Sequence, residues 1–338
     1  MLKEVFHPAA WIGDELLWRE DWLTPLTPSD IEEMRRALEA TLDRPMESIE
    51  ASDFPLPGLG PKLLSIQRQL EHGSGASMLR GFPVREFSED EARRIFWGLS
   101  RHVGTPVSQS AAGEKLFAVR DAGFGENDPR MRGPNSNKKL SFHTDRCDVI
   151  GFLCWRQAQS GGENELVSSM TLYNEINRQR PDLLQVLREP FVYKRHTVDG
   201  GNDRAWCQQP IFSFFEGHFA CAFLRVLIDR ADADPDLPNL SARQKEAMDF
   251  LEEVAGDPDL HVRFRQDPGD ILFLNNWVTL HRRTAFVDHE EPEEKRCLFR
   301  LWLSVPNSRP LDPQFAENYG ATGAGAIRGG MKAAAATS

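Results

Sequence analysis

Residues 261–305 restrict the fold more than any other stretch of the chain. They contain HVRFRQDPGDILFLNNWVTLHRRTAF and KRCLFRLWLSV, two β-branched and aromatic blocks broken by the turn Pro268-Gly269-Asp270 and by the acidic loop VDHEEPEE. Short apolar runs bounded by turn residues form strands, and strands need partners from elsewhere in the chain. A β-rich core is therefore required, and the other 290 or so residues must supply its remaining strands and a cover.

Charge and cysteine content narrow the function. The 338 residues carry 51 Asp plus Glu against 40 Lys plus Arg, a formal net charge of −11, which disfavours nucleic acid as a partner because its binding draws on concentrated positive charge. The five cysteines, Cys147, Cys154, Cys207, Cys221 and Cys297, form no CxxC pair, so neither a disulfide framework nor a cysteine zinc site is indicated. A cytoplasmic setting is expected. The opening MLKEVFHPAAWIGDELLWRED meets acidic residues before any apolar segment forms and does not read as a signal peptide. The most apolar run, FACAFLRVLI at 219–228, is too short for a membrane helix and holds Arg225. A small-molecule substrate is expected, with no membrane partner; a homo-oligomer is left open.

Along the chain, Ser29 and Glu32 have capping-box spacing ahead of IEEMRRALEATL, KLLSIQRQLEHG reads as a second helix, and Ser88 opens a third, EARRIFWGLSRHV. SFHTDRCDVIGFLCWRQA reads as a strand pair, ELVSS as a strand, 171–189 as one helix, and 191–228 as short strands with turns, Arg225 among them. LSARQKEAMDFLEEVAG is a helix capped by Ser241 and Gln244. These elements predict one domain: residues 1–104 a helical flank with the first strands, 105–310 the catalytic core with a helical insertion near 230–257, and 311–338 a low-complexity tail. Disorder is the plain expectation for that tail, and a flap over a site the sharper one.

Three features carry chemistry. His143-Thr144-Asp145 sets imidazole and carboxylate two residues apart, on one face if the backbone is extended. His281 follows 138 residues later, a separation suited to strands that become neighbours in a closed β structure. Two histidines and one carboxylate form the facial triad of non-haem Fe(II) oxygenases, with coordination positions left open; the same set can bind zinc around a water, as in a hydrolase. Arg296 and Arg300, four apart on a strand, point to the same face, where each can hold a carboxylate. His196 and His218 lack a neighbouring metal-binding group and read as structural or surface residues, Trp155, Trp206 and Trp277 as core or pocket wall, and Cys147 as a packed side chain.

SFHTD, the SGGENELVSS turn, RPDLL, PGDILFLNNWVTLHRRTAF and KRCLFRLWL, in that order across residues 75–305, resemble the taurine dioxygenase and 2,4-dichlorophenoxyacetate dioxygenase (TauD/TfdA) family, related to γ-butyrobetaine hydroxylase and clavaminate synthase. The resemblance implies an α+β fold with a mainly β core, a double-stranded β-helix of the cupin jelly-roll type with flanking helices. It implies an Fe(II)- and 2-oxoglutarate-dependent dioxygenase that uses O2 and releases succinate and CO2 while oxidising an aliphatic C–H bond of a small polar molecule, hydroxylation being the default outcome. By the same resemblance, His143, Asp145 and His281 match the iron ligands and Arg296 the arginine that holds the distal carboxylate of 2-oxoglutarate. Arg300 matches an assisting arginine. Asn164 stands where many members place Thr or Ser near the 2-oxoglutarate carboxylate, a departure that keeps a hydrogen-bond donor. Asp145 argues against halogenation, which requires a small residue there. The rival readings are a zinc hydrolase, which gives Arg296 and Arg300 no purpose, and a non-catalytic jelly-roll binding module. Substrate determinants are expected in the 105–140 loop, the 193–209 region and the C-terminal tail.

Overall fold

The first strand, β1 (Leu23–Pro25), lies parallel to β2 (Ala76–Arg80), and between them the chain builds the helices α1 (Pro28–Glu39) and α2 (Leu59–His72). The computed structural model describes residues 2–124, 133–197 and 199–332. A third helix, α3 (Glu89–Arg101), leads to β3 (Thr105–Val107), β4 (Leu116–Val119) and β5 (Val149–Arg156). The short β6 (Ser160–Gly161) and β7 (Asn164–Ser168) precede α4 (Ser169–Gln179) and α5 (Pro181–Leu187). Two hairpins follow, β8 (Pro190–Lys194) with β9 (Trp206–Pro210) and β10 (Phe212–Phe215) with β11 (His218–Cys221), then α6 (Arg225–Asp232) and α7 (Ala242–Gly256). The closing strands are β12 (His261–Phe264), β13 (Ile271–Asn275), β14 (Thr279–Arg283), β15 (Phe286–Val287) and β16 (Cys297–Ser304), before a short α8 (Ala316–Tyr319).

Seven strands make the main sheet in the order β1-β2-β13-β5-β16-β3, with β4 also on β16; β12-β7-β14 make a second, antiparallel sheet. The strict two-residue alternation of strands explains how they stack. On β13, Ile271 and Phe273 turn outward into a core shared with α1, α2 and α3, whereas Leu272 and Leu274 turn inward. The inward residues meet Leu166 of β7 and Val262 of β12, so the two sheets face each other. Val167 and Leu280, on the far face of the second sheet, pack with α4, α5 and α7. Helices thus cover both outer faces, and strands such as ILFLN read as unbroken apolar runs because they are buried on both sides.

Several expectations are corrected. The cap of α1 is Thr27 with Asp30, not Ser29 with Glu32: Asp30 N–H donates to Thr27 Oγ1 at 3.3 Å and Thr27 N–H to Asp30 Oδ2 at 2.7 Å. Pro28 then occupies the first helical position, where its missing N–H costs nothing. The caps Ser88–Glu91 and Ser241–Gln244 are as expected. The 171–189 helix is broken before Pro181, which restricts the residue preceding it and donates no backbone N–H. The strand reading of 191–228 fails at Arg225, which opens α6 and pairs with Asp229 one helical turn on, as well as with Asp249 and Glu252. SFHTDRCDVIGFLCWRQA is a loop followed by one strand, β5, rather than a strand pair. Of the long 105–140 segment, residues 125–132 lie outside the described residues, as do 333–338 of the tail. The rest of the tail is not a loose end: Gly320 bridges Arg328, and Arg328 is buried.

Candidate metal centre

The turn and bend around β13 place the first candidate ligand. Gly269, at φ +95°, has its α-carbon against Phe82, where a β-carbon would stand 2.0 Å from the Phe82 carbonyl; only glycine fits. Asp270 beside it is gripped by Arg80 at 2.9 and 2.7 Å. At the other end of β13, Asn275 Oδ1 accepts from Trp277 N–H at 2.9 Å and its Nδ2 donates to Leu70 at 2.9 Å, which turns the chain into β14. His281 then lies opposite Leu166 of β7 and on its inward face, between the sheets.

The loop before β5 supplies the other two candidate ligands. His143 and His281 exchange backbone hydrogen bonds at 3.1 and 3.0 Å, which sets their rings 4.4 Å apart. His143 Nδ1 lies 2.9 Å from the Ser141 carbonyl, so that nitrogen carries the proton and Nε2 keeps its lone pair. Thr144 N–H donates to the Phe223 carbonyl at 2.8 Å, and Asp145 N–H to Asn276 Oδ1 at 2.9 Å. Asn276 Nδ2 reaches Cys147 Sγ at 3.1 Å, so one asparagine on the bend staples the loop that carries Asp145. Cys147 is a buried thiol pushed further up by burial and serves this packing role, as expected.

One donor atom each from His143, Asp145 and His281 lies within 4.8 Å of the others, a group that could hold a metal ion. The protonation states suit it. His281 is driven down to about 3, first by burial and then by His143 and Arg300, with Asp145 opposing; it is a neutral ring with a lone pair to give. Its Nδ1 is buried without a hydrogen-bond partner, and its Nε2 faces Asp145 Oδ2 at 3.7 Å. Burial alone would raise Asp145, yet Arg300, His143 and His281 outweigh it and hold the carboxyl below its usual range, ionised. An under-satisfied imidazole beside a buried carboxylate fits a divalent cation.

The two arginines separate in role. Leu298, Arg300 and Trp302 share the inward side of β16, since Phe299, Leu301 and Leu303 pack outward against the helices, whereas Arg296 stands just before the strand begins at Cys297. Arg300 is 3.5 Å from Asp145 Oδ2 through Nη1 and donates from Nε to Gln109 at 2.6 Å. Arg296 stands off the strand's other end, 2% exposed, with Nε on Gln157 Oε1 at 3.2 Å and Nη1 buried without a partner. It has no carboxylate at ion-pair distance among the described residues. Gly162, φ +72°, lies against it, and a β-carbon there would stand 3.1 Å from Arg296 Nε. Arg283, which sequence reasoning missed, flanks the same Phe286 ring as Arg296, at 4.6 and 5.1 Å. Burial, then Arg296, pushes Arg283 down to about 9. Among the described residues neither guanidinium has a carboxylate at ion-pair distance, Asp288 and Asp121 acting on Arg296 and Arg283 from further off, and two such buried groups make a pocket suited to a carboxylate brought by a ligand. Asn164 is in register with Arg283 on the inward face and gives its Nδ2 to Gln266 at 3.2 Å.

A cleft of about 550 Å³ opens onto His143, Asp145, Arg300 and Trp302. Its walls draw on Lys139, on Tyr193, Arg195, His196 and Asp199, on Arg225 and on Met331, so each of the three segments expected to set specificity contributes. His196 lines this cleft beside Arg230, while His218 is exposed on its hairpin. Residue 198 lies outside the described residues.

A two-histidine, one-carboxylate donor set between facing sheets is the ligand type of mononuclear non-haem iron oxygenases. Residues 41–302 match the family model described as taurine catabolism dioxygenase TauD, TfdA family, and the chain belongs to that family. It is 33% identical over 291 residues to FR-33289 synthase of Streptomyces rubellomurinus, covering 85% of this chain and 83% of that protein. It is 28% identical over 327 residues to the taurine hydroxylase-like protein SAT17 of Stachybotrys chartarum, covering 90% and 83%. Among solved structures, asparagine oxygenase in complex with Fe(II), 2S,3S-3-hydroxyasparagine and succinate superposes with a TM-score of 0.65 at 16% identity, over 84% of this chain and 93% of that one. The protein is an Fe(II)- and 2-oxoglutarate-dependent dioxygenase that uses O2. Among the described residues, no helix is long and apolar enough to cross a membrane.

Proposed function

We propose that His143, Asp145 and His281 hold the iron, that Arg296 holds the distal carboxylate of 2-oxoglutarate, and that the enzyme hydroxylates an aliphatic C–H bond of a small polar molecule, an amino acid or related metabolite. The observation that carries this reading is the pairing of a compact His/Asp/His donor set with a buried, unneutralised arginine. The substrate class is supported by the hydroxyasparagine in the asparagine oxygenase structure. The facing sheets serve as the two walls of a double-stranded β-helix, one jelly-roll domain that includes residues 1–104, and the enzyme works in the cytoplasm.

When bound together, iron, 2-oxoglutarate and O2 supply the oxidising power: 2-oxoglutarate leaves as succinate and CO2, and one oxygen atom enters the substrate C–H bond. The chain's own groups prepare this. Arg300 keeps Asp145 ionised and faces the cleft, where it can meet an anionic group of the substrate. Arg296, with Arg283 behind it, compensates the distal carboxylate of the co-substrate, and Asn164 with Gln266 supports that pocket from β7. Phe142, Phe223 and Leu227 make much of the cleft wall apolar, which keeps water from the reacting carbon.

Anaerobic titration of the metal-free protein with Fe(II) and 2-oxoglutarate should develop the weak visible charge-transfer band of the chelate. His143→Ala and Asp145→Ala should each lose that band and reduce turnover of 2-oxoglutarate to background. Full activity in either variant, or zinc binding without 2-oxoglutarate turnover in the wild type, would refute the assignment.

A further inference from the structure

The C-terminal segment beyond the family-matched region touches the metal loop directly. Residues 320–332 return across the open side of the core, and Gly330 N–H donates to the carbonyl of Arg146, the residue after Asp145, at 2.8 Å. Gly329, at φ +78°, lies flush on the same loop: a β-carbon there would stand 2.6 Å from the Arg146 carbonyl and 3.1 Å from Cys147 Cα. Lys332 N–H reaches Asp199 at 3.2 Å, and Asp199 in turn grips the Arg146 side chain at 2.7 and 2.9 Å.

The anchor of this strap is an ion pair with no water around it. Arg328 Nε donates to Asp148 Oδ1 at 2.6 Å, the two side chains being 0% and 1% exposed. Arg328 also donates to the Arg309 carbonyl at 2.8 Å and lies over the Trp277 ring. Asp148 ends the metal loop and gathers Trp277 Nε1 at 2.9 Å, Ser304 Oγ at 3.2 Å and Val305 N–H at 3.0 Å. The backbone carrying Asp145 is therefore held upstream by Phe223 and Asn276, and downstream by Gly330 at the Arg146 carbonyl and by the cluster on Asp148, in which Leu303 and Asn276 hold the backbone and Arg328 supplies the charge that faces the carboxylate.

Resting on the metal site proposed above, we infer that residues 320–332 are an integral part of the active site, with Arg328 a positioning residue that acts through Asp148 on the loop bearing two of the three metal ligands. A loop without regular hydrogen bonding keeps a ligand in place only as well as its flanks are fixed, and partners behind metal ligands commonly contribute 10- to 100-fold in affinity.

The test compares Arg328→Gln and Gly329→Ala with Leu63→Ala, which creates a cavity in the fully buried helical layer and touches no part of the loop. Two readouts are taken: hydrogen exchange of the amides of residues 143–148, and the Fe(II) dissociation constant from anaerobic titration of the full chain. Arg328→Gln should speed exchange in that loop and weaken Fe(II) about tenfold. Gly329→Ala should repeat the pattern with every charge retained, and it decides the matter if Arg328→Gln does not fold. Leu63→Ala should lower thermal stability and leave both readouts at wild-type values. Wild-type exchange at 143–148 in both strap variants, or the same change in Leu63→Ala, overturns the inference. Should the wild type bind no Fe(II), the metal assignment fails by itself, and loop exchange still decides the role of the strap.

Discussion

Arg296 and Arg328 are equally buried, each 2% exposed, yet they are treated in opposite ways by the fold. Arg328 meets a protein carboxylate, Asp148, and its remaining donors find backbone carbonyls. Arg296 keeps a buried Nη1 with no partner. A charge removed from water needs compensation. Where the chain supplies it, the arginine is part of the framework; where the chain withholds it, the arginine awaits an anion from outside. The neighbouring Arg283 is pushed down to about 9, first by its own burial and then by Arg296.

The largest effect should come from breaking the compensated pair. Asp148→Asn leaves Arg328 buried without its counter-charge and should lower unfolding stability by about 3–5 kcal/mol in a denaturant titration. A loss below about 1 kcal/mol would mean that the pair is not the framework element its burial indicates.

Arg296→Leu should behave in the opposite sense. Without 2-oxoglutarate its stability should equal or exceed that of the wild type, since an unpaired buried charge has been removed. The 2-oxoglutarate requirement should rise on the order of 100-fold, the contribution of charged hydrogen bonds to a carboxylate. At 2-oxoglutarate a hundredfold above its Kd, the wild type with Fe(II) should gain about 2.7 kcal/mol of stability, and the variant at the same concentration only about 0.4 kcal/mol. If Arg296→Leu destabilises the protein as much as Asp148→Asn, the contrast between the two arginines disappears.

Asn164→Ala should have the smallest effect. Its amide is already committed to Gln266, so the 2-oxoglutarate requirement should change by about threefold or less, with about 1 kcal/mol lost from the neutral hydrogen bond. A 100-fold change would place Asn164, rather than Arg296, at the co-substrate carboxylate.

The supporting residues differ in how visible they are. His143, Asp145 and His281 stand out because metal binding needs particular donor types, and the strand pattern around them limits where they can meet. Asn276 was within reach, as a polar pair ahead of Trp277 in an otherwise apolar block marks a bend that must satisfy itself. Arg225 misled because an apolar run of alternating size suits a strand or a buried helix equally well. The carboxylates at Asp229, Asp249 and Glu252 tipped it to a helix. The tail allowed two readings, disorder and a flap over a site, and its composition alone did not choose between them. Its glycines look like disorder in isolation, but at Gly329 and Gly330 they are what permits close approach to the metal loop.

By itself the sequence determined the β-rich core, the helix starts capped at Ser88 and Ser241, the candidate metal-ligand types and the four-residue spacing of Arg296 and Arg300, because each depends on local periodicity or on the chemistry of a single side chain. The tertiary structure alone decided which buried arginine is compensated. Asp148 and Arg328 are 180 positions apart, and no local pattern records that one will be the other's counter-ion; only the packing of the strap across the core brings them to 2.6 Å, while among the described residues no carboxylate stands at ion-pair distance from Arg296.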